Sequence, residues 1–158
     1  MHLFGGFFQL GYVTQELDAA CEAFRARFAT AEFEKSDPQP TNGFIPPTKR
    51  LALAYVDDVM IELIEPDRDQ ITIYDEHIPA EPGAIRLHHL GYLINDYAET
   101  MGQLEAAGYP LPLHGSFGDA LDYIYADTRP QLGHYAEFIR LGNAGRAHFA
   151  GLPRFRTR

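Results

Sequence analysis

The sequence has one cysteine, Cys21, and no run of about 18 apolar residues. A single cysteine excludes an intramolecular disulfide and is typical of a protein kept in the reducing cytosol. The missing apolar run excludes a predicted membrane-spanning helix. The apolar start, residues 1–13, also lacks the basic segment and small-residue cleavage site of a signal peptide. We therefore predict a cytoplasmic protein.

Basic residues are scarce as well. The 158 residues include 13 Lys and Arg against 22 Asp and Glu, which gives a net charge of −9. Such an acidic surface repels nucleic acids and anionic membranes, so we expect neither as a partner. Residues 142–158 are the exception, since they hold four arginines and no acid. We interpret them as a basic, solvated C-terminal tail, although pairing with the acidic body, a partner chain or an anionic substrate stays open.

The sequence contains an internal repeat. Residues 9–13, Gln-Leu-Gly-Tyr-Val, match residues 89–93, His-Leu-Gly-Tyr-Leu. After each copy, apolar residues recur at helical spacing. The first predicted helix carries Leu17, Ala20, Cys21, Phe24 and Phe28, and the second carries Tyr97, Met101 and Leu104. The second helix is predicted to begin after Asn95 or Asp96 and to stop at Gly108.

Strand-like runs follow each predicted helix, so both halves have the order β-α-β-β-β. The Asp57–Asp58 pair predicts a tight turn between the last two strands of the first half. We predict an α+β fold of two tandem modules, with boundaries at 1–65 for the first module, 66–86 for a linker with a short helix, 87–141 for the second module and 142–158 for the basic tail.

Four polar residues lie on otherwise apolar strand faces, in the first or last strand of a half: Gln9, Glu62, His89 and Glu137. An unpaired carboxylate in such a place costs several kcal/mol, so these groups need partners. One divalent cation would serve all four, because two carboxylates balance its charge while an amide oxygen and an imidazole nitrogen complete the ligands. Without a thiolate, the suitable ions are Zn, Ni, Co, Fe(II), Mn or Mg. Each residue taken singly has an ordinary structural role, so the hypothesis rests on the combination.

The sequence resembles the vicinal oxygen chelate superfamily, which includes glyoxalase I, methylmalonyl-CoA epimerase and bleomycin-resistance-type proteins. The stretches that carry the resemblance are QLGYVTQELDAACEAF, VMIELIEP, LHHLGYLINDYAET and GHYAEFIRL. The resemblance implies that mixed sheets of the two modules curl around a metal-binding cleft, with ligands from Gln9, Glu62, His89 and Glu137. The repeat selects His89 rather than His88, which falls on the opposite strand face. A homodimer is also implied.

The implied activity is that of a lyase or isomerase of the glyoxalase or epimerase type. A bound divalent metal stabilises the oxygen of an enolate, and a glutamate removes the α-proton of a carbonyl compound, thioester or keto acid. Glu137 is our first choice for this base and Glu62 the second. Residues 127–135 could add a substrate contact through Arg129 or His134, or could simply form a polar turn. No arginine suited to glutathione is found after the first strand.

Two alternatives stay open at this point. A bleomycin-resistance-type protein would use the same cleft to bind a small molecule without catalysis. An extradiol dioxygenase would need two histidines and one carboxylate on Fe(II), and Gln9 together with the second carboxylate of Glu62 makes that class the weaker alternative.

Overall fold

Each half contains the predicted order β-α-β-β-β, and the structure adds a short helix before the last strand of the second half and a helix and a strand after it. The computed structural model describes residues 3–28, 32–40 and 43–156, and Arg158 of the predicted basic tail lies outside them. The first half comprises β1 (Phe7–Thr14), α1 (Leu17–Phe28), β2 (Glu34–Ser36), β3 (Thr48–Val56) and β4 (Val59–Pro66). The second comprises β5 (Ile85–Leu93), α2 (Tyr97–Ala106), β6 (Leu113–Phe117), β7 (Leu121–Ala126), α3 (Arg129–Leu132) and β8 (Tyr135–Leu141), and it is followed by α4 (Asn143–Gly151) and β9 (Arg154–Phe155). The fold is α+β with mixed sheets, as predicted.

The connections also follow the sequence. The predicted turn between β3 and β4 is confirmed, and Asp57 adopts a φ of 52° there. The linker contains a short 3-10 helix, Asp75–His77, as expected. None of the helices within the described ranges combines the length and apolar character needed to cross a membrane.

The chain forms two compact units whose boundaries fall inside β1 and β5. Met1–Gln9 and His89–Gly151 form the C-terminal unit, and Leu10–His88 with Leu152–Arg158 forms the N-terminal unit. The four-segment division given above describes the repeat rather than these units, and it stays a prediction.

The N-terminal unit packs α1 on an antiparallel sheet. Strand β3 pairs with β2 and β4, and β9 joins β3 in parallel at Tyr55 and Val56. The predicted apolar face of α1 is buried against β3 and β4 through Leu17, Ala20, Cys21 and Phe24. Phe28 was expected on this face and is instead 59% exposed, because it is the last residue of the helix; its ring lies 4.7 Å from the Phe24 ring.

In the C-terminal unit, helix α2 packs on one face of the sheet. Strand β5 runs parallel to β8, and β7 runs antiparallel to both β8 and β6. Leu104 of α2 packs into a core with Tyr92, Ile124, Ala126, Ala136 and Phe138. The Asp96 carboxylate caps the helix by accepting a hydrogen bond from the Glu99 amide at 2.9 Å, and Gly108, with a φ of 79°, follows the helix end. The odd-numbered residues of β5, β7 and β8 face the other side of this sheet.

The C-terminal segment is ordered, so the expectation of a solvated tail is wrong for residues 143–156. Strand β9 pairs with the part of the β3 edge that β2 leaves uncovered. The Arg154 guanidinium lies 4.0 Å from the centre of the Tyr55 ring, and Arg154 and Arg156 reach Asp58 at 3.1 and 3.2 Å. These arginines therefore pair with the acidic body, which was one of the alternatives.

We expect Asp18 to make stability depend on pH in the acidic range. Hydrogen bonds from Arg50, at 2.9 Å, and Lys35, at 2.6 Å, lower the pKa of the Asp18 carboxyl to about 2. Because the unfolded-state pKa is about 3.9, this stabilisation is complete above roughly pH 4 and is lost as the pH falls through 2. Melting temperatures of the parent should therefore fall more steeply between pH 4 and 2 than those of Asp18→Asn. Equal slopes would contradict this assignment.

Candidate metal centre

Gln9 reaches the C-terminal unit from β1 and lies over β5. The residue is 2% exposed, and a Cβ atom added to Gly91 would lie 2.3 Å from its Oε1 atom. Any larger side chain at position 91 would collide with the amide. The glycine in the second copy of the repeat therefore makes room for the glutamine of the first.

His89 lies two residues earlier on the same face of β5. It is fully buried, and its ring packs edge-on against Tyr125 of β7, with the ring centres 5.2 Å apart. It is in register with Tyr135 of β8. The ring contact with Tyr125 and the pairing of β5 with β8 place the imidazole on the face of the sheet that also carries Tyr125.

Glu137 lies on β8, which pairs with β5, the strand of His89, on one side and with β7, the strand of Tyr125, on the other. It is in register with Gly91 on one side and with Tyr125 on the other, and it is 7% exposed. Its Oε2 atom lies 3.2 Å from His89 Nε2. The sheet register therefore brings an amide, an imidazole and a carboxylate to one buried face.

This set of donors suits a divalent cation. The Glu137 Oε2 atom is buried and accepts no hydrogen bond from any residue in the described ranges, because the geometry of its contact with His89 is not that of a hydrogen bond. A buried carboxylate oxygen facing an imidazole nitrogen is stabilised by a positive charge between them. Amide, imidazole and carboxylate donors without a thiolate are the ligands of hard or borderline divalent ions.

Glu62, the fourth predicted ligand, lies on β4 of the N-terminal unit. It is in register with Leu53 of β3, and its side chain is half-buried. Its role as a ligand stays a prediction from the repeat, in which it corresponds to Glu137.

His88 contacts three residues of the linker in the N-terminal unit. It is fully buried, its Nε2 atom lies 3.1 Å from the Ile73 carbonyl oxygen, and its ring packs on Tyr74 and His77 with centres 4.8 Å away. These contacts attach the linker to β5. They give His88 a structural role, which agrees with the choice of His89 as the candidate ligand.

The segment between β7 and β8 contains α3 and is held by its own polar contacts. Arg129 donates to both carboxylate oxygens of Asp127, at 2.9 and 2.8 Å, and these bonds lower the pKa of Asp127. The guanidinium lies 4.5 Å from the centre of the Tyr135 ring, and His134 Nδ1 lies 2.8 Å from the Tyr135 carbonyl oxygen. These contacts account for both residues structurally, and a substrate contact stays a prediction.

Sequence reasoning did not single out the tyrosines beside this site. Tyr123 and Tyr125 alternate along β7 and share a face with Glu137. Strand alternation in LDYIYA, combined with the antiparallel pairing to β8, is the signal that would have found them.

The chain belongs to the glyoxalase/bleomycin resistance protein/dioxygenase superfamily, whose family model matches residues 8–125. This assignment agrees with the α+β fold and with the resemblance noted from the sequence. No curated protein sequence is significantly similar to this chain.

Solved structures of methylmalonyl-CoA epimerases share the fold. The enzyme from Mycobacterium tuberculosis has a TM-score of 0.63 at 15% identity, covering 93% of this chain and 95% of the epimerase. A variant of the Streptomyces coelicolor enzyme in complex with 2-nitronate-propionyl-CoA has a TM-score of 0.62 at 16% identity, with 87% and 98% coverage. An epimerase in complex with methylmalonyl-CoA and NH4+ has a TM-score of 0.61 at 17% identity, with 89% and 97% coverage.

We predict that Gly91→Ala destabilises the protein. The added methyl group would overlap the Gln9 amide, and overpacking of this kind costs about 1–3 kcal/mol. Chemical denaturation measures the change in the free energy of unfolding. Gly102→Ala is the matched control, since nothing lies within 4 Å of a Cβ atom there. Gly102→Ala should be as stable as the parent or more stable, because it lies within α2 and alanine favours a helix. If Gly91→Ala were also as stable as the parent, the described position of Gln9 would be wrong.

Proposed function

We propose that this protein is a divalent-metal-dependent isomerase or lyase that removes a proton from the carbon next to a carbonyl group. The observation that carries the proposal is the convergence of Gln9, His89 and Glu137 on one buried face, in a chain of this superfamily. The fold shared with methylmalonyl-CoA epimerases supports the isomerase form.

Gln9, His89 and Glu137 would hold the metal, and we include Glu62 as the fourth ligand because the repeat relates it to Glu137. A divalent ion bound there acts as a Lewis acid on a substrate carbonyl. His89 fits a fixed ligand, since it is fully buried and its ring is packed against Tyr125. Gln9 adds a neutral donor, so the proposed set balances the charge of a divalent ion with only two carboxylates.

Glu137 is the proposed base. Its carboxylate is nearly buried, so little bulk water competes for the proton that it would receive from the α-carbon, on an oxygen that has partly detached from the metal. The position of Oε2 beside His89 Nε2 keeps the carboxylate in one orientation on the ligand-bearing face. Return of the proton to the same carbon gives an epimer, and return to another atom gives an isomer or the product of a lyase reaction. Glu62 is the second candidate for this role.

We propose an acyl-coenzyme A thioester as the substrate to test first. The neighbouring structures were solved with 2-nitronate-propionyl-CoA and with methylmalonyl-CoA. A glutathione hemithioacetal is less well supported, because Arg25, on the helix after β1, is half-exposed and paired with Glu22 at 2.6 Å. We further propose that the protein acts in the cytoplasm and that it is a homodimer. Light scattering of the purified protein measures the molar mass and so tests the homodimer.

We expect the purified protein, stripped with a chelator and reloaded, to bind close to one equivalent of a divalent metal. Glu137→Ala should bind little, because it removes a charged ligand from a buried site. Glu105→Ala, which removes an exposed glutamate from α2, is the matched control and should bind as the parent does. Elemental analysis gives the stoichiometry. Without stoichiometric metal in the parent, the four-ligand proposal would be wrong and a non-catalytic binding protein would be favoured.

We also expect the metal-loaded parent to exchange the α-proton of methylmalonyl-CoA or a related acyl-CoA with deuterium from solvent. Glu137→Gln, which keeps the size of the side chain but not its basicity, should lower the exchange rate at least about 100-fold, which is typical of losing a general base. Mass spectrometry of the recovered thioester follows the exchange. Exchange at the parental rate in Glu137→Gln would exclude this residue as the base.

A further inference from the structure

Tyr123 places a phenol on the same sheet face as the candidate metal centre. It lies on β7, two residues before Tyr125, which is in register with Glu137. The residue is 4% exposed, and its ring stacks on Phe117 of β6 with the centres 5.5 Å apart. A Cβ atom added to Gly115 would lie 2.8 Å from its hydroxyl oxygen, so this hydroxyl lies over β6, where a glycine leaves room for it.

The Tyr123 hydroxyl makes no hydrogen bond to any residue that the structure describes. Tyr97 in the same unit differs, since its hydroxyl lies 3.4 Å from His114 Nδ1. The Tyr123 hydroxyl oxygen is not one of the fully buried polar atoms without a partner, although its ring is buried. This oxygen is therefore reachable from solvent, and it is available to a molecule bound on the face that carries Glu137.

This phenol is a hydrogen-bond donor at any working pH. Burial, and then the negative charge of Glu137, raise the pKa of Tyr123 to about 12. A phenol hydroxyl that keeps its proton can donate a hydrogen bond to an oxygen atom of a bound molecule.

We propose that Tyr123 is a substrate-binding residue whose hydroxyl donates a hydrogen bond to a carboxylate or carbonyl oxygen of the substrate. Neighbouring strands lie about 4.8 Å apart, so β6 and β8 are separated by about 10 Å. The Tyr123 hydroxyl over β6 and the Glu137 carboxylate on β8 therefore lie on one sheet face, where a substrate with two oxygen functions would contact both groups. This inference rests on the proposed function, and it narrows the substrate class to compounds with a second oxygen acceptor near the acidic carbon.

The test measures ligand binding rather than turnover. The stripped protein is reloaded with Co²⁺ and titrated calorimetrically with malonate, which carries two carboxylates on one carbon. Tyr123→Phe keeps the ring and should raise the Kd for malonate about 10- to 100-fold, the usual effect of losing a hydrogen bond to a charged group. Its Co²⁺ affinity and melting temperature should match those of the parent.

Tyr92→Phe is the matched control, since it removes the hydroxyl of a buried tyrosine that packs with α2 on the opposite face of the same sheet, and it should bind malonate as the parent does. Parental malonate affinity in Tyr123→Phe would overturn the inference while leaving the proposed function intact. Loss of Co²⁺ together with malonate, or a parent that binds Co²⁺ but not malonate, would also overturn it. A parent that binds no Co²⁺ would show that the proposed function itself fails, and the inference with it.

Discussion

The close approach of Glu137 and His89 inside the C-terminal unit is the constraint on which the site depends. A carboxylate oxygen and an imidazole nitrogen lie 3.2 Å apart, in residues that are 7% and 0% exposed. Removing both groups from water costs several kcal/mol unless a charge of the opposite sign compensates. The donors in this arrangement are of the kind that a divalent cation binds, which is why we propose a metal there.

Sheet register produces the arrangement. The parallel pairing of β5 with β8 sets Glu137 beside Gly91, and the glycine leaves the space into which the Gln9 amide extends. The antiparallel pairing of β7 with β8 places Tyr125 on the other side of Glu137, where its ring supports the imidazole. A shift of one residue in either pairing would turn some of these side chains to the opposite face, so the buried polar cluster and the sheet are specified together.

Much of this could be predicted from the sequence because it depends on local patterns. Helical spacing located α1 and α2, the Asn95–Asp96 pair located the start of α2 to within one residue, and strand alternation placed Gln9, His89 and Glu137 on apolar faces. What could not be predicted depends on which strands are neighbours. Examples are the fit of Gln9 over Gly91, the position of the Tyr123 hydroxyl over β6, and the pairing of β9 with β3, which orders a segment that looks like a solvated tail.

The central claim is that Gln9, Glu62, His89 and Glu137 are metal ligands. X-ray absorption spectroscopy of the Co²⁺-loaded protein tests this claim most directly. We predict an innermost shell of oxygen and nitrogen atoms, with the outer-shell scattering of one imidazole and no sulfur, and loss of the imidazole signal in His89→Ala. A spectrum of fully hydrated Co²⁺, or one in which the imidazole signal persists in His89→Ala, would contradict the account.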